Sequence, residues 1–304
     1  MNRKSQEEDK VSTKVVEIPA VWIAGAACSG CSVSLLNTVS PNIQNVLVDQ
    51  VIPGKHISLK FHATVMAGQG KQTIQVIRDT EKNYKDGFIL CVEGSVSTGA
   101  DGNYCTIGME DGRELTMQEV VESTASKALA VLAIGSCASF GGIPSGEPNP
   151  TGAISVQEFL KSRGIDKPVI NIPGCPPHPD WMVGTIADIL INGLPSEDKL
   201  DELSRPKAFF GTLIHDNCPR RAYFDAGQFA RHTGEEGCLY EIGCKGPVTY
   251  ADCSLRYWNN GINWCIGAGA QCIGCVEPSF HDDLSPMFKK LDEDLLERFK
   301  IKTR

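Results

Sequence analysis

Residues 21–31 read Val-Trp-Ile-Ala-Gly-Ala-Ala-Cys-Ser-Gly-Cys, and their pattern is the clearest indication of the fold class. Its apolar beginning is typical of a buried parallel strand, and a glycine turn then leads into a pair of cysteines. Two later segments repeat the order of apolar run, glycine and cysteine. The thiols that follow these three predicted strands are Cys28 and Cys31, then Cys137 after Gly135-Ser136, then Cys175 after Gly174.

The chain up to about Gly193 alternates predicted strands and helices. The predicted strands are Val21–Ala26, Phe88–Val92, Ala128–Ile134 and Pro168–Ile172, with Ile57–Val65 as an edge or half-buried strand. The predicted helices begin at the capping boxes Thr116–Glu119 and Ser155–Glu158, and a third runs from Trp181 to Asn192. This succession predicts a doubly wound α/β domain with a largely parallel sheet.

The last third of the chain is different in character. Seven of the 13 cysteines lie there, and regular periodicity is nearly absent until a predicted final helix, Ser285–Phe299. A long segment without repetitive structure folds poorly by itself. We therefore expect bound cofactors to hold this region together.

Composition excludes several classes of protein. The 304 residues carry a formal net charge of −8, which argues against nucleic-acid binding, and no run of 18 apolar residues predicts a membrane span. The polar N-terminus contains no export signal, so residues 1–17 are expected to be a disordered tail. A cytoplasmic, reducing location is expected, with a periplasmic location as the alternative if an export signal is missing from this sequence.

The cysteines form potential ligand sets. Ligands of an open α/β sheet bind at the carboxyl ends of its strands, so four thiols are expected to meet at one edge, as in a [4Fe–4S] cluster or a structural zinc site. Eleven cysteines and His215 make 12 ligands, enough for three clusters of four. Cys91 and Cys105 remain as a core thiol and a loop thiol. Glu93 is interpreted either as a neighbour of the first site or as a solvated loop carboxylate.

Several motifs together resemble the small subunit of nickel–iron hydrogenases. They are Ala27–Leu36, Gly135–Ala138, Pro173–Trp181 and Cys272–Cys275, and the similarity covers roughly Val21 to Phe288. The resemblance implies a flavodoxin-like domain, residues 18–194, that binds the proximal [4Fe–4S] cluster. An irregular, cluster-stabilised domain, residues 195–304, would follow it and bind the medial and distal clusters.

The resemblance also implies which residues bind each cluster. The proximal ligands would be Cys28, Cys31, Cys137 and Cys175, and the distal [4Fe–4S] ligands would be His215, Cys218, Cys238 and Cys244. The medial ligands would be Cys253, Cys272 and Cys275.

One position departs from the pattern of many members, which have a proline seven residues before Cys272 and a medial [3Fe–4S] cluster. Here that position is Cys265, so a medial [4Fe–4S] cluster is expected and [3Fe–4S] is the alternative. This feature, with Gly243–Pro247 and Tyr250–Cys253, is similar to the nickel–iron–selenium branch.

The function that the resemblance implies is electron transfer during reversible H2 oxidation. The chain would contain no catalytic residue of its own and would pair with a large subunit that carries the Ni–Fe site. An external carrier of the cytochrome or ferredoxin type would exchange electrons with it. The alternatives are a hydrogen-sensing subunit, an iron–sulfur subunit of a related respiratory complex, and, from the residues alone, a zinc-stabilised interaction protein.

Overall fold

A parallel sheet forms the centre of the computed structural model, which describes residues 16–47, 49, 54–278, 280, 281 and 289–298. The strands are β1 Val16–Ala24, β2 Lys55–His62, β3 Ile89–Glu93, β4 Val96–Ser97, β5 Thr106–Glu110, β6 Arg113–Thr116, β7 Ala130–Ile134, β8 Ala153–Ile154 and β9 Val169–Ile172. Five of them pair in the order β2-β1-β3-β7-β9, and every pairing in this sheet is parallel. This is the flavodoxin-like order, so the predicted fold class is confirmed.

Helices connect the strands and continue into the last third. They are α1 Gly30–Leu36, α2 Ile43–Leu47, α3 Lys71–Asn83, α4 Met117–Ala125, α5 Gly135–Phe140, α6 Val156–Ser162, α7 Pro179–Asn192, α8 Lys207–Phe210, α9 Arg221–Asp225, α10 Cys253–Arg256 and α11 Glu293–Arg298. Both predicted capping boxes are present: the side chains of Thr116 and Ser155 each accept from the amide three residues on, and the glutamates reciprocate. These local signals located the starts of α4 and α6 correctly.

Two predicted boundaries differ most from the observed ones. The first strand begins at Val16. Val16 and Glu17 therefore belong to the sheet, where β1 pairs with β2, and not to the expected tail. The final helix begins at Glu293, not at Ser285, and residues 289–292 are not helical. Residues 1–15, 282–288 and 299–304 lie outside the described residues.

The small hairpin of β5 and β6 was not predicted, although the chain carries its signal. Asp111 and Gly112 join the two strands and both have positive φ angles, 52° and 81°. Asp-Gly is the preferred pair for a two-residue hairpin turn because both central residues of that turn need positive φ. Helix α3 was also missed. Its N-cap, Gly70, offers no side-chain hydrogen bond, so the capping signal that located α4 and α6 is absent there.

Alternate residues of the sheet point into two separate apolar layers. Val21, Leu90 and Val131 pack with residues of α3, α4 and α6 on one face. Trp22, Ile89 and Leu132 pack on the other face with α7 and with side chains from the last third, including Phe210, Ile214, Leu239, Trp264, Ile266 and Val276. The last third of the chain therefore shares a hydrophobic core with the sheet, and this packing holds its loops close to the strand ends.

Candidate metal centres

The first group of thiols lies at the carboxyl edge of the sheet. Cys28 follows β1, Cys31 lies in the first turn of α1, Cys137 lies in α5 after β7, and Cys175 follows β9. Burial, Glu93 and the other three thiols all raise the pKa of Cys31. Burial together with Cys175 and Cys28 raises the pKa of Cys137 to about 11. The structure therefore brings together the four residues named as proximal ligands.

Glycines keep side-chain atoms away from these sulfurs. A Cβ on Gly135 would lie 2.5 Å from the Cys31 sulfur, and one on Gly142 would lie 3.0 Å from the Cys137 sulfur. A Cβ on Gly30 would lie 3.1 Å from the Cys28 sulfur. Gly135 and Gly142 also have positive φ, which other residues rarely adopt. This clearance around thiolate donors fits an iron–sulfur cluster, whose sulfides need close approach by backbone.

Glu93 is hydrogen-bonded to the segment that carries Cys31. Its carboxylate is fully buried and accepts hydrogen bonds from the Trp22 indole at 2.9 Å, from the backbone amides of Cys31 and Ser32 at 3.1 Å each, and from the Ser32 hydroxyl. The two amides belong to the first turn of α1, which has no side-chain cap of its own. Glu93 therefore caps α1 from β3 and holds the cysteine pair in place, and the solvated-loop interpretation is wrong.

The second group contains the four residues named as distal ligands. His215, Cys218, Cys238 and Cys244 line one cavity, with Ile214, Leu239 and Ile266 among its apolar walls. Burial is the largest cause that lowers the pKa of His215, which favours the neutral imidazole that binds metals. The ring also packs edge-on against Phe224, with centroids 4.6 Å apart, which fixes its orientation.

The third group contains Cys253, Cys265, Cys272 and Cys275. Burial raises the pKa of Cys253, and the charges of Cys275 and Cys265 add to this effect. Two buried polar atoms beside these ligands, the Ser254 hydroxyl and the Trp264 indole nitrogen, have no hydrogen-bond partner among the described residues. Buried donors normally have an acceptor, and the sulfurs of a cluster would supply one. The residues of this group therefore also fit a cluster.

The three groups are joined in a series. Burial raises the pKa of Cys275 to about 12, and the charge of Cys175 in the first group adds to this rise. Burial likewise raises the pKa of Cys272, and the charge of Cys244 in the second group adds to it. Hydrogen bonds follow the same links: the Ser136 hydroxyl donates to the Cys275 carbonyl, and the Lys245 amide donates to the Cys272 carbonyl at 2.7 Å. The third group thus lies between the other two.

The remaining two cysteines lie apart from this series. Cys91 is buried inside β3, and burial alone raises its pKa to about 12, while Cys105 lies just before β5 beside the α3–α4 layer. Over the described part of the chain, no three His, Cys, Asp or Glu side chains are arranged to hold a single metal ion. Over the same residues, no helix is both long and apolar enough to cross a membrane.

Two family models match the chain. Residues 28–189 match the family described as NADH ubiquinone oxidoreductase, 20 Kd subunit, and residues 210–288 match the family described as the C-terminal part of the NiFe/NiFeSe hydrogenase small subunit. The periplasmic [NiFeSe] hydrogenase small subunit of Desulfomicrobium baculatum is 46% identical over 279 residues, covering 89% of this chain and 86% of that protein. The quinone-reactive Ni/Fe-hydrogenase small chain of Wolinella succinogenes is 40% identical, covering 88% and 73%.

Solved structures give the same result. The recombinant [NiFeSe] hydrogenase of Desulfovibrio vulgaris Hildenborough in the oxidized state matches with a TM-score of 0.85 and 45% identity, covering 91% of this chain and 99% of that chain. The chain therefore belongs to the small subunits of nickel–iron hydrogenases. It is the electron-transferring partner of a hydrogenase large subunit, in an oxidoreductase that acts on H2, and its higher identity to the nickel–iron–selenium relatives confirms the resemblance to that branch.

Proposed function

We propose that this chain carries three iron–sulfur clusters in series and relays single electrons between the Ni–Fe site of its partner and an external carrier. The proximal ligands are Cys28, Cys31, Cys137 and Cys175, the medial ligands are Cys253, Cys265, Cys272 and Cys275, and the distal ligands are His215, Cys218, Cys238 and Cys244. The observation that carries the proposal is the order of the three thiol groups. Ser136, next to Cys137, donates to the Cys275 carbonyl, and Lys245, next to Cys244, donates through its amide to the Cys272 carbonyl, so the medial set lies between the others. Iron–sulfur clusters supply one-electron chemistry over roughly −700 to +450 mV.

The protein's contribution is to hold these ligands close together. The first domain, predicted as 18–194 and extended to Val16 by β1, supplies the proximal set from strand ends, and residues 195–304 supply the other two sets. The family matches to 28–189 and 210–288 support this division. The Ser136 hydroxyl bridges both parts, because it accepts from the Gly174 amide at 2.9 Å and donates to the Cys275 carbonyl.

The type of the medial cluster depends on Cys265. Its charge contributes to the raised pKa values of both Cys253 and Cys275, whose burial is the largest cause, so a fourth thiol is within reach of the medial set. This supports a [4Fe–4S] medial cluster, in which case anaerobically purified, oxidised heterodimer should lack the isotropic EPR signal of [3Fe–4S]+. Cys265→Pro should bring that signal out, while Cys105→Ser, the matched control, should not. The signal at one spin per heterodimer in unaltered protein would contradict the assignment.

The large subunit is proposed to cover the face at the proximal set. Cys28 and Cys175 are exposed there, and Val33 and Val39 are each more than half exposed beside a groove of about 660 Å³. Exposed apolar side chains grouped around a reactive site indicate a protein interface.

A matched pair of variants tests this face. Val33→Glu should weaken assembly with the large subunit, whereas Ile191→Glu, an equally exposed apolar position on α7, should not. Co-purification of the tagged large subunit measures both. Full assembly of the Val33 variant would place the interface elsewhere. H2-dependent dye reduction should need both subunits, and activity of this chain alone would contradict the proposal.

The electron carrier and the compartment belong to the same proposal. A cytochrome or ferredoxin-type carrier would meet the distal set, which the half-buried His215 and Cys218 bring near the surface. The cytoplasmic location stays a prediction, and the periplasmic alternative has support from relatives named as periplasmic in Desulfomicrobium baculatum and Nitratidesulfovibrio vulgaris. Cell fractionation with antibodies to the native protein decides between the two compartments.

A further inference from the structure

Lys245 is a charged residue in an unusual place. Only 1% of it is exposed, and it ranks among the largest fully buried side chains of the described residues. Its ammonium donates hydrogen bonds to the backbone carbonyls of Gly243, at 3.1 Å, and of Lys289. These carbonyls accept from two of its three N–H groups but do not neutralise its charge. Burying an ammonium is costly, so a nearby negative charge is needed to explain a lysine here.

The surroundings of Lys245 supply such charge on two sides. It follows Cys244 of the distal set directly, and its amide donates to the Cys272 carbonyl of the medial set at 2.7 Å. Lys245 is therefore a direct neighbour of one proposed ligand from each of two adjacent sets.

We infer that the buried ammonium of Lys245 is a shared counter-charge for the medial and distal iron–sulfur clusters and raises the reduction potential of both. This inference rests on the proposed function. The reasons are the burial of the charge, its two carbonyl anchors, and the position of the residue between Cys244 of the distal set and the Cys272 carbonyl of the medial set. Net charge around a cluster is one of the quantities that set its potential.

The charge of Lys245 should raise the reduction potentials of nearby clusters and leave that of a distant cluster nearly unchanged. Reduction adds one electron and one negative charge to a cluster, and a fixed positive charge nearby stabilises that form. Because the site is shielded from water, solvent and salt screen the interaction weakly. The proximal ligands lie beyond the medial set, with the buried carboxylate of Glu93 beside Cys31, so Lys245 should act much less on a cluster held there. The lysine therefore makes electron transfer out of the proximal cluster more favourable.

A set of three variants tests the charge in the assembled heterodimer. Lys245→Met removes the charge with a side chain of similar length, and Lys245→Arg keeps it. The matched control is Lys290→Met, which removes an ammonium from the same part of the chain where it is about half exposed and paired with Glu241. Redox titrations monitored by EPR give the midpoint potential of each cluster.

The expected result is a pattern across clusters rather than a single shift. Lys245→Met should lower the potentials of the medial and distal clusters, each by at least a tenfold change in the reduction equilibrium, which is 59 mV for a one-electron couple. The proximal potential should stay within error in every variant, and Lys245→Arg and Lys290→Met should match the unaltered protein. Unchanged medial and distal potentials in Lys245→Met would overturn the inference, and so would an equal shift of all three clusters.

A second neutral variant covers failure of Lys245→Met to fold or to retain its clusters. Lys245→Gln also removes the charge but keeps N–H donors for the carbonyls of Gly243 and Lys289. It should lower the medial and distal potentials and leave the proximal potential unchanged, and medial and distal potentials equal to those of the unaltered protein would overturn the inference. Failure of the proposed function is distinguishable, because unaltered protein would then lack three redox-active iron–sulfur centres.

Discussion

Replacing Glu93 tests whether a buried carboxylate holds the proximal cysteine pair. Glu93→Ala would leave three N–H donors without an acceptor: the indole of Trp22 and the amides of Cys31 and Ser32. Each unmet buried donor costs about 1–3 kcal/mol, so the alanine variant should lose at least about 3 kcal/mol of stability. Glu93→Gln keeps one oxygen acceptor and turns an NH2 group toward the remaining donors, so it should lose about 1–3 kcal/mol.

The assay is thermal unfolding of the purified heterodimer at one scan rate, with iron content measured on the same samples. Each kcal/mol should lower the apparent Tm by roughly 2–4 °C if this subunit unfolds as a unit. Glu122→Gln is the matched control, because that carboxylate is 45% exposed and its contact with Arg163 is long, at 3.5 Å. The apparent Tm should be lowest for Glu93→Ala and higher for Glu93→Gln, and that of Glu122→Gln should be close to the value for the unaltered protein. Equal stability of all three variants would refute the capping role of Glu93.

Three further changes follow from the sites. Gly135→Ala should lose the proximal cluster, because the new Cβ would lie 2.5 Å from the Cys31 sulfur. The control Gly164→Ala, at φ 66° with no atom near its Cβ, should lose only about 1–2 kcal/mol of stability through backbone strain. A normal proximal EPR signal in the Gly135 variant would contradict this expectation. His215→Cys should keep a distal cluster but lower its potential, because a thiolate replaces a neutral imidazole, and unchanged distal EPR and acceptor rates would remove the histidine from the ligand set. Arg205→Met removes the buried guanidinium that pairs with Asp201 and Glu277, and it should lower the free energy of unfolding by about 3–5 kcal/mol in chemical denaturation. A loss below about 1 kcal/mol would mean that other groups satisfy these two carboxylates.

Much of the fold could be predicted because its signals are local. Thr116 and Ser155 cap their helices through residues only three positions away, so the starts of α4 and α6 are written in four-residue segments. The buried strands were recognised from short apolar runs. The hairpin at Asp111-Gly112 carried an equally local signal that was overlooked. The start of the final helix was overlooked as well, although Asp292 is of a residue type preferred at an N-cap and Glu293 and Asp294 make the first turn acidic.

The membership of the proximal set also followed from the chain alone. Carboxyl ends of parallel strands meet at one sheet edge, so cysteines placed just after β1, β7 and β9 have to come together there. The sequence resemblance then grouped the later cysteines, and Cys265 was added to the medial set because it replaces the proline that many members have at that position.

Contacts between distant residues were decided only by the tertiary structure. Glu93 lies 62 positions from Cys31, and nothing near either residue in the chain predicts that a buried carboxylate caps α1. The medial position of the third thiol group depends on packing of residues from the last third against the sheet, which brings the Cys275 carbonyl to Ser136 and the Cys272 carbonyl to Lys245. The burial of Lys245 follows from the same packing. A sequence states which charges and thiols are available, but distances between them, and hence their electrostatic effects, exist only after the chain has folded.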